Sequence, residues 1–320
     1  MQDIRAVVTA ELDAVNAVII EQLQSDVDMV ENVGQYIIGA GGKRLRPLLA
    51  LLSAAALGDI NERQIRFAAV IEFIHTATLL HDDVVDVSEL RRGRPTANST
   101  FGNAPSVLVG DFIYTRAFQL MVELGSEALL RMMADTTNTI AEGEVLQLIR
   151  AGDAETTESQ YFEVIDRKTA TLFAAAGEGA ALLAGADAPH IGLLRDCCSH
   201  IGLAFQLVDD LLDYEGDPAE TGKNVGDDLA EGKPTLPLIH VMRDGPAAQA
   251  AAVRDAITRK DRDALPLVLA AVRDCGSLDY TRAAAQRHHD AALEKLEQLS
   301  PSAARDALVT LTGRALQRRA

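Results

Sequence analysis

The stretch LLHDDVVD, residues 79–86, places three aspartates in an apolar segment, and LVDDLLD, residues 207–213, repeats the pattern. The aspartates of these two D-D-x-x-D clusters are Asp82, Asp83, Asp86, Asp209, Asp210 and Asp213. If aspartate supplies about a quarter of the ~25% charged residues of an average chain, one copy arises by chance on the order of 0.1 times in this length. Two copies in apolar surroundings therefore indicate a function.

The spacing within each cluster favours a divalent cation. In a helix the first and last aspartates lie four residues apart on one face, where their carboxylates can share an ion. Hard oxygen ligands offered one or two at a time suit Mg²⁺, which commonly takes its remaining ligands from water and substrate phosphates. The clusters thus predict a phosphorylated substrate. The alternative is a solvated acidic face, and the apolar neighbours of the aspartates count against it.

Composition predicts a large helical protein. Of the 320 residues, 48% are hydrophobic and only 4% are aromatic, and helix-forming residues dominate. We therefore expect an all-α fold. Because no linker divides the chain, we expect a single domain over residues 1–320. The net charge of -17 excludes nucleic acid as a partner, because phosphate backbones require a broad basic surface.

Apolar periodicity predicts helices separated by two long polar loops. The loops are residues 88–106 and 214–235, and each directly follows one aspartate cluster. Long loops in compact domains are usually functional. The arrangement hints at pseudo-symmetry, which would set the two clusters face to face across a central cavity. The predicted helices are 2–38, 45–57, 63–86, 106–123, 126–150, 158–184, 188–214 and 235–244.

Basic residues near the first cluster predict an anion site. In GAGGKRLRP, residues 39–47, glycines lead into a helix that opens with Lys43, Arg44 and Arg46. Cations in a first helical turn oppose the helix dipole, at about 0.3 to 1 kcal/mol each, and a bound anion would reverse that cost. His75 lies two helical turns before Asp82 and could donate to phosphate. A satisfied core histidine is the alternative for His75.

Further polar residues stand in the loops and in apolar helices. Arginine binds phosphate in a bidentate manner, and Gln206 falls on the same helical arc as Asp210 and Asp213. For Thr169, a hydroxyl bonded back to its own helix is an equal alternative. These candidates are Arg91, Arg92, Arg94, Lys168, Thr169, Gln206, Lys223 and Lys233.

The chain shows no signal-like N-terminus, and no apolar run of ~18 to 20 residues that would span a bilayer is evident. We therefore expect a cytoplasmic protein without stable membrane insertion. The three cysteines are odd in number and two of them, Cys197 and Cys198, are adjacent. This pattern predicts reduced, structural thiols.

The motifs, taken together and in order, resemble those of the trans-polyprenyl diphosphate synthases, and within that family the bacterial enzymes with octaprenyl products. The resemblance runs from about residue 15 to the C-terminus and is densest over 36–240. The matching motifs are GGKRLRP, EFIHTATLLHDDVVD, LRRGRPTAN, FGNAPSVLVGDFIYTRAF, AEGEVLQL, KTATLF, FQLVDDLLDY and GKNVGDDLAEGKPTLPL.

This resemblance implies a bundle of antiparallel helices around a deep central cavity, usually as a homodimer. It implies a prenyltransferase in which an allylic diphosphate such as farnesyl diphosphate loses pyrophosphate with the help of Mg²⁺. Isopentenyl diphosphate then attacks the allylic cation, and the cycle repeats until about octaprenyl diphosphate is made for quinone side chains.

The resemblance also implies roles for residues. Asp82 and Asp86 would hold two Mg²⁺ ions and Asp209 a third. From their chemistry, Thr169, Gln206 and the Lys168 carbonyl can offer oxygen dipoles to the carbocation. Because the carboxylates are committed to metal, we expect the departing pyrophosphate to accept the proton. The allylic diphosphate would be bound by Arg91, Lys168, Lys223 and Lys233, and isopentenyl diphosphate by Lys43, Arg46, His75 and Arg92.

Product length depends on the residues below the first cluster. Short-chain relatives carry a bulky aromatic just ahead of D-D-x-x-D, whereas this chain has Ala77 and Thr78. Met121 and Met133 resemble the floor of the tunnel in octaprenyl synthases, although a core methionine pair is an equal alternative. A short-chain synthase and a non-catalytic subunit of a heteromeric synthase are the other readings. Ala77 opposes the first, and the intact clusters oppose the second.

Overall fold

The fold is helical almost throughout, as predicted. The computed structural model describes residues 4–39, 41–91, 93–216 and 225–316, so Arg92 and Lys223 lie outside the described residues. Its helices and strands are α1 Thr9–Gln22, α2 Asp28–Gly39, α3 Leu45–Ala55, α4 Glu62–Val85, β1 Leu90–Arg91, β2 Arg94–Pro95, α5 Ala97–Phe101, α6 Asn103–Glu123, α7 Glu127–Arg150, α8 Glu158–Ile165, α9 Thr171–Leu183, α10 Ala188–Glu215, α11 Asp227–Glu231, α12 Leu236–Asp244, α13 Ala247–Arg259, α14 Leu265–Asp274, α15 Ser277–Leu296 and α16 Ala303–Leu316.

The chain folds into two compact units. The first comprises Met1–Thr137, Leu172–Cys198 and Leu293–Leu311, and the second comprises Asn138–Thr171, Ser199–Ala292 and Thr312–Ala320. The first aspartate cluster belongs to the first unit and the second cluster to the second unit. The single domain over residues 1–320 stays a prediction.

The core of the first unit is built around α4. This helix packs against α1, α3 and α6, and most of its apolar residues from Phe67 to Leu80 are buried, on every side of the helix. Asn61 caps its first turn in a capping box with Gln64, which satisfies backbone N–H groups that have no partner within the helix. The helix is thereby fixed at its start, and the first cluster lies at its other end.

The second unit packs α12 against α8, α13 and α14. Its core joins residues of these helices to Leu207, Val208 and Tyr214 of α10. Tyr214 is fully buried, and its hydroxyl lies 3.0 Å from the Thr235 hydroxyl. These α10 residues flank the second cluster along the helix, so the core holds that part of α10 in place.

Four predictions of secondary structure need correction. The described part of the predicted loop 214–235 contains α11, Asp227–Glu231. The predicted helix 2–38 breaks between α1 and α2, where the Ser25 backbone N–H turns to the Glu31 carboxylate. The predicted loop 88–106 instead forms a short antiparallel hairpin and α5. The predicted helix 158–184 contains a π-helical turn, Asp166–Ala170. Apolar periodicity does not reveal such local departures.

One helix of the described residues, Ala188–Glu215, is long and apolar enough to cross a membrane by length and composition alone. Sequence reasoning missed this segment. Half of its most apolar window is buried inside the protein, and it carries the second aspartate cluster. A core helix meets the same two criteria, so this is weak evidence for a membrane span.

All three cysteines are free thiols, with Cys197 and Cys198 buried and Cys275 partly exposed. Hydrogen bonding with Cys198, followed by burial, raises the pKa of the Cys197 thiol well above its ordinary value. A thiol held in its protonated form is a poor nucleophile. The two adjacent cysteines therefore fit the predicted structural role.

A histidine pair in the second unit makes stability depend on pH. Nδ1 of His288 lies 3.0 Å from Nδ1 of His200. Burial, followed by the charges of His200 and Arg287, lowers the pKa of His288 from 6.5 to about 4. Between these pH values the unfolded chain binds a proton that the folded chain does not, so the free energy of unfolding falls as the pH drops from about 6.5 to about 4.

We expect this loss to be about 1 to 2 kcal/mol after allowance for the partial exposure of the ring. Urea unfolding of wild type and His288→Asn at several pH values measures it, and the variant should lose this part of the pH dependence. His190→Asn, at an exposed histidine, serves as the control and should keep it. Equal pH dependence in all three proteins would contradict the assignment.

Candidate active site

The first aspartate cluster lies in the last turn of α4. The Asp86 backbone N–H caps the helix by donating to the Asp82 carbonyl at 2.8 Å. Asp82 and Asp86 are partly exposed, whereas Asp83 is completely buried. The cluster therefore presents two carboxylates and buries the third.

Asp83 is an anchor for the following hairpin. One of its carboxylate oxygens accepts from Arg91 Nε at 2.9 Å and from Arg91 Nη2 at 2.7 Å. Burial disfavours the charge of Arg91, but the Asp83 hydrogen bonds and the charges of Asp83, Asp82 and Asp86 outweigh it and raise the pKa of Arg91. The predicted diphosphate ligand Arg91 thus lies beside the cluster, held by a buried carboxylate.

The turn after the cluster is strained. Val87 has φ 53 and is 76% exposed, although the left-handed region strongly disfavours β-branched residues. Its N–H donates to the Val84 carbonyl at 3.4 Å, and the Ser88 N–H donates to the Asp83 carbonyl at 2.9 Å. These two bonds form a Schellman motif, whose left-handed position glycine usually fills. Backbone strain in proteins concentrates near functional sites, and here it adjoins Asp86.

The basic residues at the start of α3 have separate partners. Arg44 has φ 47 and forms a partly buried ion pair with Glu72, so it is structural. Arg46 Nη1 lies 3.2 Å from His75 Nε2, and its guanidinium stacks 4.5 Å from the centroid of Phe173. The structure thus brings together Arg46 and His75, two predicted ligands of one diphosphate. The carbonyl of Lys43 is held by Arg5 Nη2 at 2.9 Å.

In the second unit, the π-helical turn Asp166–Ala170 carries Lys168 and Thr169. Lys168 Nζ lies 2.6 Å from a carboxylate oxygen of Glu144 on α7. Gly143 permits the close approach of α7, because a Cβ there would lie 2.8 Å from the Lys168 backbone nitrogen. Turns of π helix occur frequently at functional sites, and this one directs two predicted site residues.

Thr169 and Gln206 belong to one hydrogen-bonded network with Asp210. The Thr169 hydroxyl donates to Gln206 Oε1 at 2.9 Å, and Gln206 Nε2 donates to Asp210 Oδ1 at 2.8 Å. The other Asp210 oxygen accepts from the Tyr161 hydroxyl at 2.5 Å. Burial, and next the charge of Asp228, raise the pKa of the Asp210 carboxyl well above its ordinary value. The bonds from Tyr161 and Gln206 favour its charged form.

The remaining aspartates of the second cluster differ from Asp210. Asp209 is partly exposed. The Asp213 carboxylate caps α11, since it accepts from the backbone N–H groups of Asp227 at 3.1 Å and Asp228 at 3.3 Å. A carboxylate at a helix N-terminus is stabilised by the helix dipole. Asp213 thus holds α11, which directly precedes Lys233, and Lys233 pairs with Glu231.

Sequence reasoning missed Tyr161, Glu144 and Asp228. Tyr161 sits in an apolar helical segment and shows no motif of its own. The signal was indirect, because a buried aspartate requires hydrogen-bond donors and a buried tyrosine requires an acceptor. Glu144 falls within AEGEVLQL, a motif without predicted site residues, and Asp228 within GKNVGDDLAEGKPTLPL, where only the two lysines were predicted.

The donor set fits Mg²⁺ bound largely through a phosphorylated ligand. In the described ranges, no group of three or more His, Cys, Asp or Glu side chains is placed to hold a metal by itself. Asp82 and Asp86 are oxygen donors one helical turn apart, and their charges reach Arg91. Magnesium sites of one or two carboxylates completed by water and phosphate match this arrangement.

Both aspartate clusters lie within the part of the chain that matches a known protein family. The polyprenyl synthetase family model matches residues 27–272. This chain belongs to that family. The octaprenyl diphosphate synthase of Escherichia coli (strain K12) is 50% identical over 319 residues, 99% of this chain and 99% of that protein.

Solved structures of family members confirm the all-α isoprenoid synthase fold. A polyprenyl synthase from Caulobacter crescentus CB15, complexed with calcium and isoprenyl diphosphate, has a TM-score of 0.96 at 43% identity and covers 99% of this chain and 97% of its own. A decaprenyl diphosphate synthase from Rhodobacter capsulatus has a TM-score of 0.93 at 42% identity, with coverage of 99% and 98%.

The residues that we associate with product length in this polyprenyl synthetase are buried in the first unit. Ala77, Met121 and Met133 have no exposed surface. The Thr78 hydroxyl donates to the His75 carbonyl at 2.8 Å. Burial fits both a tunnel wall and a core methionine pair, so the role in product length stays a prediction.

A larger residue at Gly143 tests whether the close packing there positions Lys168 and Thr169. We expect Gly143→Ala to displace the π-helical turn, to lower the free energy of unfolding by about 1 to 3 kcal/mol, and to lower kcat by about 10²-fold because Lys168 and Thr169 move. Steady-state elongation and urea unfolding measure both effects. The control is Gly192→Ala, where a Cβ meets nothing within 4 Å. Wild-type kcat in Gly143→Ala would contradict the prediction.

Proposed function

We propose that this chain extends farnesyl diphosphate with isopentenyl diphosphate to about octaprenyl diphosphate, for quinone side chains. Its class is a long-chain trans-polyprenyl diphosphate synthase, a prenyltransferase. The observation that carries this conclusion is 50% identity to an octaprenyl diphosphate synthase along 99% of the chain, in a protein that retains both aspartate clusters. One synthase domain over residues 1–320 and a cytoplasmic location belong to the same proposal.

Asp82 and Asp86 would hold two Mg²⁺ ions and Asp209 a third. When bound, Mg²⁺ would act as a Lewis acid that neutralises the diphosphate leaving group. Asp83 contributes differently, since its carboxylate holds Arg91 next to Asp82 and Asp86. Arg91 would then bind the allylic diphosphate without losing its anchor.

The lysines would bind the allylic diphosphate from positions set by carboxylates. Lys168 rests on Glu144 and Lys233 on Glu231, so both ammonium groups are positioned before substrate arrives. Lys43, Arg46 and His75 would bind isopentenyl diphosphate, as the contact between Arg46 and His75 supports. Roles for Arg92 and Lys223 in the same two subsites are predicted from sequence alone.

The carbocation requires nearby oxygen dipoles that do not react with it. Thr169, Gln206 and the Lys168 carbonyl would supply this electrostatic stabilisation. The aspartates would be committed to metal or, like Asp83 and Asp210, to hydrogen bonds. The departing pyrophosphate would therefore accept the proton when the new double bond forms.

A homodimer is part of the proposal, and exposed apolar side chains support it. On α6 of the first unit, Leu108 and Val122 are exposed. On α7, in the second unit, the exposed residues Val145, Leu148 and Ile149 follow helical spacing on one face. Exposed apolar surface of this kind commonly marks a protein interface.

Elongation in a purified system tests the activity and its metal requirement. With Mg²⁺, farnesyl diphosphate and labelled isopentenyl diphosphate, the wild type should make a product of about octaprenyl length, and chelation of Mg²⁺ should abolish turnover. Asp82→Asn should lower kcat by about 10²-fold or more, because several kcal/mol of charge stabilisation are lost. Asp59→Asn, at an exposed aspartate, is the control. Turnover that survives chelation would contradict the metal assignment.

Product length tests the proposed tunnel. Ala77→Tyr should stop elongation at about farnesyl or geranylgeranyl length, because the ring would block the cavity below Asp82. Met133→Ala should lengthen the product, because its side chain would no longer close the floor. Chromatography of the products measures both, with circular dichroism as the check on folding. Unchanged products from two folded variants would refute the tunnel.

A further inference from the structure

We propose that Tyr161 is a positioning residue that fixes the direction of a hydrogen-bond relay ending at the Thr169 hydroxyl. The relay runs from Tyr161 through Asp210 and Gln206 to Thr169, with donor to acceptor distances of 2.5, 2.8 and 2.9 Å. The inference rests on the proposed function, because its purpose is to aim an oxygen dipole at the allylic cation. No sequence motif singled out Tyr161.

The direction of the relay follows from the chemistry of its members. Both Asp210 oxygens accept hydrogen bonds in the structure, Oδ2 from the Tyr161 hydroxyl and Oδ1 from the NH₂ group of Gln206. The amide oxygen of Gln206 then faces Thr169, and this oxygen only accepts as well. The Thr169 hydroxyl must therefore donate its hydrogen to the Gln206 amide oxygen. Each member determines the orientation of the next.

As a result, the lone pairs of the Thr169 hydroxyl oxygen are available to a ligand. Among the described residues, the Thr169 oxygen makes one side-chain hydrogen bond, the one it donates to Gln206. Its lone pairs consequently point away from Gln206 and can stabilise a positive charge. If the Gln206 amide were reversed, Thr169 would accept from its NH₂ group and would present a positive hydrogen instead. A hydroxyl of that polarity would oppose a cation.

Tyr161 fixes the direction of the relay because packing holds its ring in one position. It is 4% exposed and packs in the core of the second unit with Leu207 and Leu236. Its ring also meets Phe162 edge to face, with centroids 5.4 Å apart. The hydroxyl is thus delivered at one point, where it binds Asp210 Oδ2 and leaves Oδ1 facing Gln206. Without this donor, half of a buried carboxylate would lack a hydrogen bond and its rotamer would no longer be fixed.

Steady-state kinetics of Tyr161→Phe tests the inference. We expect kcat to fall about 10-fold, which corresponds to about 1.4 kcal/mol, while KM for farnesyl and isopentenyl diphosphates changes less than about 2-fold, since ground-state binding is untouched. The matched control is Tyr214→Phe. Tyr214 is also a fully buried tyrosine of the second unit with a hydroxyl partner, Thr235, outside the relay. It should lose similar stability and keep kcat.

A double-mutant cycle separates the relay from a structural role. In a Thr169→Val background the relay has no end to orient, so Tyr161→Phe should lower kcat no further. A structural effect of Tyr161 would instead lower kcat by the same factor in both backgrounds.

Three results would overturn the relay alone: wild-type kcat in Tyr161→Phe, equal effects in both backgrounds, or an equal loss of kcat in Tyr214→Phe. Wild-type protein that makes no polyprenyl product would overturn the proposed function and the relay with it.

Discussion

The burial of one carboxylate in each aspartate cluster is the constraint on which the arrangement of that cluster depends. In both clusters it is the second aspartate, Asp83 or Asp210, that is buried, and a buried carboxylate is tolerated only with donors or cations beside it. Arg91 serves Asp83, whereas Tyr161 and Gln206 serve Asp210. The second aspartate of D-D-x-x-D is thus an internal anchor. Of its neighbours in the two motifs, Asp82, Asp86 and Asp209 are partly exposed, whereas Asp213 caps α11.

The same logic explains how the basic side chains that we propose as diphosphate ligands are held. Lys168 and Lys233 each rest on a glutamate, and Arg46 contacts His75 and the ring of Phe173. Long basic side chains lose much conformational entropy when they are ordered. Acidic and aromatic partners order these side chains during folding, so less conformational entropy is lost when substrate binds. Basic side chains ordered in this way would suit a polyanionic ligand, although the whole chain is strongly acidic.

Much of the fold follows from the sequence, and the motifs supplied most residues of the candidate site. Apolar periodicity located α4, α6, α7, α10 and α12 to within a few residues, because long helices with buried faces repeat their pattern many times. Periodicity missed the π-helical turn and the hairpin after Asp86, where one partner such as Gly143 or Asp83 decides the path. The motifs identified the aspartates but not their division of labour. Tyr161 escaped because a buried tyrosine in a helix has no spacing that distinguishes it.

The π-helical turn has a consequence for the comparison of related chains. Such a turn accommodates one residue more than regular α-helix over a similar length, and Lys168 and Thr169 sit inside it. A single-residue gap aligned between Phe162 and Ala170 would rotate both side chains by about 100°, the angular step of an α-helix. Gaps at this point in an alignment therefore signal altered chemistry, even where the flanking helices match residue for residue.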